Sequence, residues 1–358
     1  MIQLSRKIRK LIWNFKIFIK HYFYPTDEKS QEFMYVYKFI CKRLKMVPVS
    51  TFITIVFGLL CGVAIPLALI LVIRRKFHLA LRPFWIGCAV WVLFAMVLER
   101  IMHTFVLKSP IGAAVQTNMW WLALYGGLAA GIFEETGRFL AMRHVLKKEW
   151  SDDRNALVYG AGHGGCEAAA ILLIGMANNL IYSILINQNM TGILTGAVSG
   201  DQVAAVQNLF DTLITTPSAT FLVSPVERLS AVILHIALSV IVWFAVTRNR
   251  IWLFPVAIAI HAVVDGVAVI LSKSGMGMWW VELVVFAMVV ATVALACFLW
   301  KKYAATASAT KTATATAMET DTAASTETAA AVATTTDADA NITTDADANI
   351  TTDADVID

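Results

Sequence analysis

Glu134, Glu135 and Arg138 stand in the stretch LALYGGLAAGIFEETGRFLAM (122–142), which is otherwise apolar enough to lie in a bilayer. Each ionised side chain at such a depth costs roughly 2.5–3.5 kcal/mol on insertion scales, a cost rarely carried without a use. Glu134 and Arg138 are i,i+4 and Glu135 and Arg138 are i,i+3, so both pairs meet on one helix face. A second stretch, NALVYGAGHGGCEAAAILLIG, holds His163 and Glu167 at i,i+4. A third, FPVAIAIHAVVDGVAVIL, holds His261 and Asp265 at the same spacing, and His235 is followed one turn later by Ser239. A carboxylate one turn from an imidazole can orient the ring, or the two can hold one ligand. Any one of these residues alone reads as a hydrogen-bonded packing residue. As a set beside glycines they read as a site.

A buried cluster of carboxylates and imidazoles has three chemical uses. It can activate a water by general base catalysis. It can bind a divalent metal, most plausibly zinc through His and carboxylate ligands with one position open. It can relay protons or hold a cation in a transporter. The soluble zinc-protease pattern HExxH is absent from the sequence.

The elements that position these residues follow from composition. A chain of 358 residues, 58% hydrophobic and 15% charged, reads as all-α, a polytopic membrane bundle of about seven transmembrane helices. The spans fall near 48–73, 84–103, 117–142, 155–180, 226–246, 251–272 and 277–300. Arg74, Arg75, Lys76 and Arg82 follow the first span, and Arg143, Lys147, Lys148 and Arg154 the third. Arg248 and Arg250 follow the fifth, and Lys301 and Lys302 the last. Every second connection is basic, which puts those connections and the C-terminal tail in the cytoplasm of a cell whose plasma membrane holds the chain. The charge distribution is that of membrane topology and gives no case for nucleic acid. An odd number of spans puts the N-terminus outside, against the basic character of residues 1–46. Either that region is an external interfacial segment, or a further membrane-entering segment near the start changes the parity.

At ~1.5 Å per residue, Glu134 lies about 13 Å in from Arg143 and His163 about 13 Å in from Arg154. On the same rise, His261 is about 16 Å from Arg250 and His235 about 20 Å from Arg248. Four helices of alternating direction thus bring their ionisable residues to one level, in the half of the bilayer nearer the basic connections. Glu99 and Arg100 fall outside this layer, near the far end of the second span, where headgroups or water would meet them. Gly127 and Gly131 share a stripe with the glutamates, and Gly160 and Gly164 with His163, so neighbouring helices can approach closely there.

Three parts organise the chain: a basic amphipathic extension (1–46), the membrane domain (47–302) and a tail (303–358). The extension, RKIRKLIWNFKIFIKHYFY then KFICKRLK, fits helices lying on an anionic membrane surface, and no cleavable signal peptide is apparent. The tail is Ala, Thr and Asp with a repeated ITTDADAN octamer and reads as disordered. Its sequons at Asn341 and Asn349 carry no weight in a cytoplasmic tail. The connection of about 188–225 reads as a connector with a short helix, DQVAAVQNLFDTLI, and Asp201 near its start. Cys41, Cys61, Cys88, Cys166 and Cys297 show no CxxC spacing and read as packing residues.

The ordered motif set Glu134-Glu135-x-x-Arg138, His163-x-x-x-Glu167 within GAGHGGCEA, LHIALS around His235, and His261-x-x-x-Asp265 resembles that of the YhfC family. That family is grouped with PrsW-type and CAAX-processing intramembrane proteases. The resemblance covers residues 48–300 and implies hydrolysis of a peptide bond in a membrane-embedded or membrane-associated protein or peptide. Carried over by position, Glu134 or Glu135 would activate the water, with Arg138 holding the other carboxylate. His163, Glu167, His261 and Asp265 would bind a metal, Zn2+, or stabilise the oxyanion, and His235 would be an auxiliary donor or ligand. The same constellation fits a metal-independent glutamic mechanism. The EExxR spacing departs from the EExxxR of CAAX-processing enzymes, so their peptide specificity does not carry over. A proton- or cation-coupled transporter and a non-catalytic membrane scaffold are the other readings. The absence of a convincing inverted repeat lowers the first, and the intact motif set lowers the second.

Overall fold

The computed structural model describes residues 46–304, so nearly all of the extension and of the tail lies outside the described residues. Among the described residues there is no strand. The helices are α1 (Val49–Arg75), α2 (Arg82–Leu107), the short α3 (Pro110–Thr117), α4 (Met119–Leu140), α5 (Asn155–Asn187), α6 (Asp201–Thr215), α7 (Val223–Thr247), α8 (Leu253–Lys273) and α9 (Met278–Ala304). Six of the described helical stretches are long and apolar enough to cross a membrane. The seventh expected span is α4, whose 22 residues include Glu134, Glu135 and Arg138.

Local chemistry sets the helix ends. Asn118 caps α4, its Oδ1 accepting from the amides of Trp120 (2.9 Å) and Trp121 (3.2 Å). Ion pairs gather the basic connections at one end of the bundle. Arg82 pairs with Glu149, and Arg248 Nη2 donates to Asp153 Oδ2 at 2.7 Å while Trp243 Nε1 donates to Asp153 Oδ1 at 2.9 Å. Val47 sits at the opposite end, where its amide donates to Asn187 Oδ1 (2.8 Å) and its carbonyl accepts from Asn187 Nδ2 (3.0 Å). The helix expected in the 188–225 connection is α6. Its Phe210 and Leu213 pack on Ile186 and Val47, covering the ends of α5 and α1.

Two tight helix pairs form the centre, α4 with α8 and α5 with α7. Glycine permits both contacts. A Cβ at Gly131 would lie 2.8 Å from the Ile258 carbonyl oxygen, and one at Gly127 would strike the carbonyl of Ala262. Across the other pair, Cβ atoms at Gly160 and Gly164 would lie 2.6 Å from Ile236 Cα and 2.9 Å from Val232 Cα. Within lipid, close backbone approach replaces the hydrophobic drive that packs soluble helices. Large side chains fill the basic end. Phe139 stacks on Phe254 at 4.6 Å between ring centroids, and Met142, Trp243, Phe244 and Leu253 are buried around them.

Glu99 departs from its sequence expectation. It is buried, and His103 Nε2 lies 3.1 Å from its Oε1. Glu99 ends the π-helical stretch Val92–Glu99 inside α2. The sequence expectation rested on depth along the span, which does not encode the contact with His103. His103 Nδ1 in turn lies 2.7 Å from the Tyr125 hydroxyl of α4, and Arg100 stays exposed as expected.

Gly127→Val is expected to separate α4 from α8 at a cost of about 2–3 kcal/mol, by overpacking against backbone. At the next residue, Gly126, nothing lies within 4 Å of an added Cβ, so Gly126→Ala should be neutral or slightly stabilising. Unfolding in detergent with denaturant checks both, and an equal loss in the two variants would refute the packing role of Gly127.

Candidate active site

Glu134, Glu135 and Arg138 project from α4, His163 and Glu167 from α5, His235 from α7 and His261 and Asp265 from α8. The packing of α4 on α8 and α5 on α7 brings all eight into one connected cluster. Glu135, Arg138 and His163 are 0% exposed, and the other five border a cavity of about 710 Å³.

Arg138 decides between the two glutamates. Its Nη1 pairs with Glu135 Oε1, and His261 Nδ1 lies 2.8 Å from that same oxygen. Glu135 is therefore held from two sides and is absent from the cavity wall, whereas Glu134 lines it. The Glu134 Oε2 atom lies 2.8 Å from His163 Nε2 and 3.9 Å from His235 Nδ1.

Hydrogen-bond logic assigns the tautomers. A guanidinium can only donate, so Nδ1 of His235, 3.0 Å from Arg138 Nη2, accepts. The ring proton then sits on Nε2, which lies 2.5 Å from Glu167 Oε2. Glu135, already paired with Arg138, accepts from His261 Nδ1, so Nε2 of His261 is the atom that faces Asp265, 3.5 Å from its Oδ2. The Asp265 side chain is 40% exposed, into the cavity it borders. Glu167 also accepts from Arg228 Nη1 at 2.5 Å, and Arg228 pairs with the neighbouring Glu227. Ser239 belongs elsewhere, because its hydroxyl donates to the His235 carbonyl oxygen at 2.7 Å.

A match to the family model described as YhfC intramembrane metalloprotease spans residues 61–286 and so contains every residue of this cluster. The chain belongs to the YhfC family. It is 34% identical over 212 residues to the uncharacterized membrane protein YhfC of Bacillus subtilis (strain 168), covering 58% of this chain and 80% of that protein. No solved structure matches it. The membrane placement, the helical bundle and the protease family of the motif set are thereby borne out.

The family description implies a metal, and the donor chemistry fits one. One carboxylate oxygen and two imidazole nitrogens, from Glu134, His163 and His235, all lie within 4.8 Å of one another and are buried. Two histidines, one glutamate and an open position is a donor set known from catalytic zinc sites. This group shares only His163 with the four residues that the resemblance suggested as ligands. Glu167 turns away to His235 Nε2 and Arg228, and His261 and Asp265 face each other across the cavity wall.

Depth counting gave the level of the ionisable residues, and the structure adds the course of the cavity they border. From Glu134, His235 and His261 it reaches Thr220, Phe221, Ser272 and Met278, at the end away from the basic connections. At the basic end Phe139 stacks on Phe254, and neither residue lines the cavity. Thr220 and Phe221, in the 3-10 turn Ser218–Leu222, make the 188–225 connection part of the cavity wall, which is more than a connector.

Sequence reading missed three participants. Arg228, at the start of the fifth span, was visible as a charge two residues inside an apolar run. Glu282 stands inside the last span and is only 7% exposed. Tyr159, one turn before His163, is wholly buried with no hydrogen-bond partner for its hydroxyl, and nothing in its sequence context marks it.

Arg138→Leu leaves Glu135 buried beside a single imidazole and should cost about 3–5 kcal/mol, as loss of one partner of a buried ion pair does. Adding Glu135→Leu should recover a substantial part of that loss. A double-mutant cycle read by unfolding in detergent measures the coupling, and strictly additive losses would show that the pair is not what holds α4 in register.

Proposed function

We propose that the chain is an intramembrane endopeptidase that cleaves a membrane-embedded or membrane-associated protein, with zinc as its metal. The observation that carries this reading is the convergence of Glu134, His163 and His235 at the edge of a cavity inside a membrane-spanning bundle. Those three residues would hold the metal. Bound there, zinc supplies Lewis acidity that polarises the scissile carbonyl and lowers the pKa of a water. Glu167, beside Nε2 of His235, leaves Nδ1 of that ring toward Glu134, which is the outer-sphere arrangement that orients ligating histidines. Were His235 to serve as a ligand through Nδ1, it would give up the hydrogen bond from Arg138, whose guanidinium Glu135 would still neutralise.

Proton transfer falls to His261. With its Nδ1 proton given to Glu135, the ring carries a lone pair on Nε2 at the cavity wall. It takes a proton from the attacking water as the water oxygen bonds to the carbonyl carbon. Asp265 stabilises the imidazolium that forms, and the proton passes to the amide nitrogen as the C–N bond breaks. The bond from Arg138 to Nδ1 of His235 supports a second reading, in which Glu134 itself accepts the water's proton and no metal takes part. The basic connections favour a plasma-membrane orientation with that end and the tail in the cytoplasm.

Metal analysis of the full chain in nanodiscs, paired with cleavage of a quenched-fluorescent library of transmembrane peptides, tests the proposal. We expect about one equivalent of zinc, as a three-ligand site holds, lost together with cleavage on chelation and restored by zinc. Glu134→Ala, His163→Ala and His235→Ala should lose the metal. His261→Ala should keep it while cleavage falls about 10²–10⁴-fold, the usual weight of a general base. Cleavage untouched by chelation selects the second reading, and cleavage retained in all four variants overturns both.

A further inference from the structure

Away from Glu134, the cavity wall holds a carboxylate that the reaction does not use. Glu282 sits on α9 within an apolar face made by Met278, Val281, Val285 and Val289. It is 7% exposed, and its Oε1 has no hydrogen-bond partner. The cavity is lined by the carboxylates of Glu134, Glu167, Glu227, Asp265 and Glu282, and Arg228 is the guanidinium among them. Arg228 is spent on Glu167 and Glu227. Glu282 is thus a largely buried acid on the cavity wall, with Ser230 and the shared Arg228 guanidinium as its polar neighbours, in a setting where incompletely neutralised charge is costly.

Two glycines bear on how a ligand reaches it. Gly126 on α4 and Gly175 on α5 line the cavity, and a Cβ at either would meet nothing within 4 Å. Unlike Gly127 and Gly131, they serve no helix contact. They leave two positions on the cavity wall without a side chain.

We propose that the cavity around Glu282 is a substrate subsite for a basic residue, taking a lysine or arginine side chain whose aliphatic stem lies on the valines of α9 and whose charge meets the Glu282 carboxylate. The assignment deepens the proteolytic reading and rests on it. It gives the cleaved peptide a cationic side chain on the Glu282 side of the scissile bond, away from the basic end of the bundle. The long apolar stem and charged tip of lysine and arginine match a pocket that is apolar along its length and acidic at one point.

Binding separates this assignment from catalysis. The full chain carrying Glu134→Gln, in phosphatidylglycerol nanodiscs, is titrated with a fluorescent Leu/Ala transmembrane peptide bearing one lysine, and with the same peptide carrying norleucine or glutamate there. We expect the lysine peptide to bind about tenfold tighter than the norleucine one, the weight of one charge-assisted contact, with glutamate weakest. Glu282→Gln should erase the preference and Glu282→Asp retain it, and Gly126→Leu or Gly175→Leu should weaken all three peptides. Equal binding of the three peptides by the chain with native Glu282 overturns the subsite without recourse to any variant of that residue, as does a preference that survives Glu282→Gln. Adding phosphatidylethanolamine to the nanodiscs distinguishes the other source of an ammonium group. A preference abolished by it assigns Glu282 to a lipid headgroup and also overturns the peptide subsite. Absence of cleavage by the chain with native Glu134, with the lysine preference intact, would instead count against proteolysis alone.

Discussion

Ionised side chains inside a membrane bundle must neutralise one another, and that requirement organises this protein. A continuous path of contacts runs Glu227–Arg228–Glu167–His235–Arg138–Glu135–His261–Asp265 across α7, α5, α4 and α8. Arg138 is its hinge. One guanidinium, fully buried, satisfies Glu135 on its own helix and His235 on another, so its rigid fork fixes the rotation of α4 relative to α7. Desolvating such groups costs more than their attraction returns, and an apolar core of similar volume would be at least as stable. The network therefore earns its place through the geometry it enforces. It points the His235 and His261 rings at the cavity with one nitrogen of each held by a carboxylate.

That geometry depends in turn on glycine. The 2.8 Å contact between Glu135 and His261 joins α4 to α8, and Glu167 meets His235 between α5 and α7. Gly127 and Gly131 bring α8 onto α4, and Gly160 and Gly164 bring α7 onto α5. The glycines thus lie on the two helix pairs whose ionisable groups meet in these contacts. Substituting a glycine in this set acts on the site through helix separation, although no glycine touches a reacting group.

Much of this was legible in the sequence. Span positions follow from hydropathy, which is additive along the chain, and all expected spans have a helical counterpart. Convergence of Glu134, His163, His235 and His261 follows from counting rise along helices whose directions the basic connections fix. Three things were not legible, each for a physical reason. Spacing offers Arg138 both Glu134 (i,i+4) and Glu135 (i,i+3), and the choice is made by His261 from α8, which no local rule can see. Glu99 was placed by its depth along the span, and its burial comes with His103, which also meets Tyr125 of α4, a contact that depth does not encode. The course of the cavity depends on which side chains line it, and those of α7, α8 and α9 come together only in the fold.

The course of the cavity bears on how a membrane peptidase meets its substrate. A scissile bond in a transmembrane helix is shielded by its own hydrogen bonds and by the lipid, so the enzyme must supply both a water-accessible cavity and room for an unwound segment. Here Glu134, His235 and His261 border a cavity reaching away from the basic connections. Its lining includes residues of the Ser218–Leu222 turn and of the start of α9, which belong to connections without a run of basic residues. On the proteolytic reading proposed above, a peptide segment entering from that end would come past Glu227, Arg228 and Glu282 before it met Glu134. Charge would then be the first property of a substrate to be read and the position of its peptide bond the second.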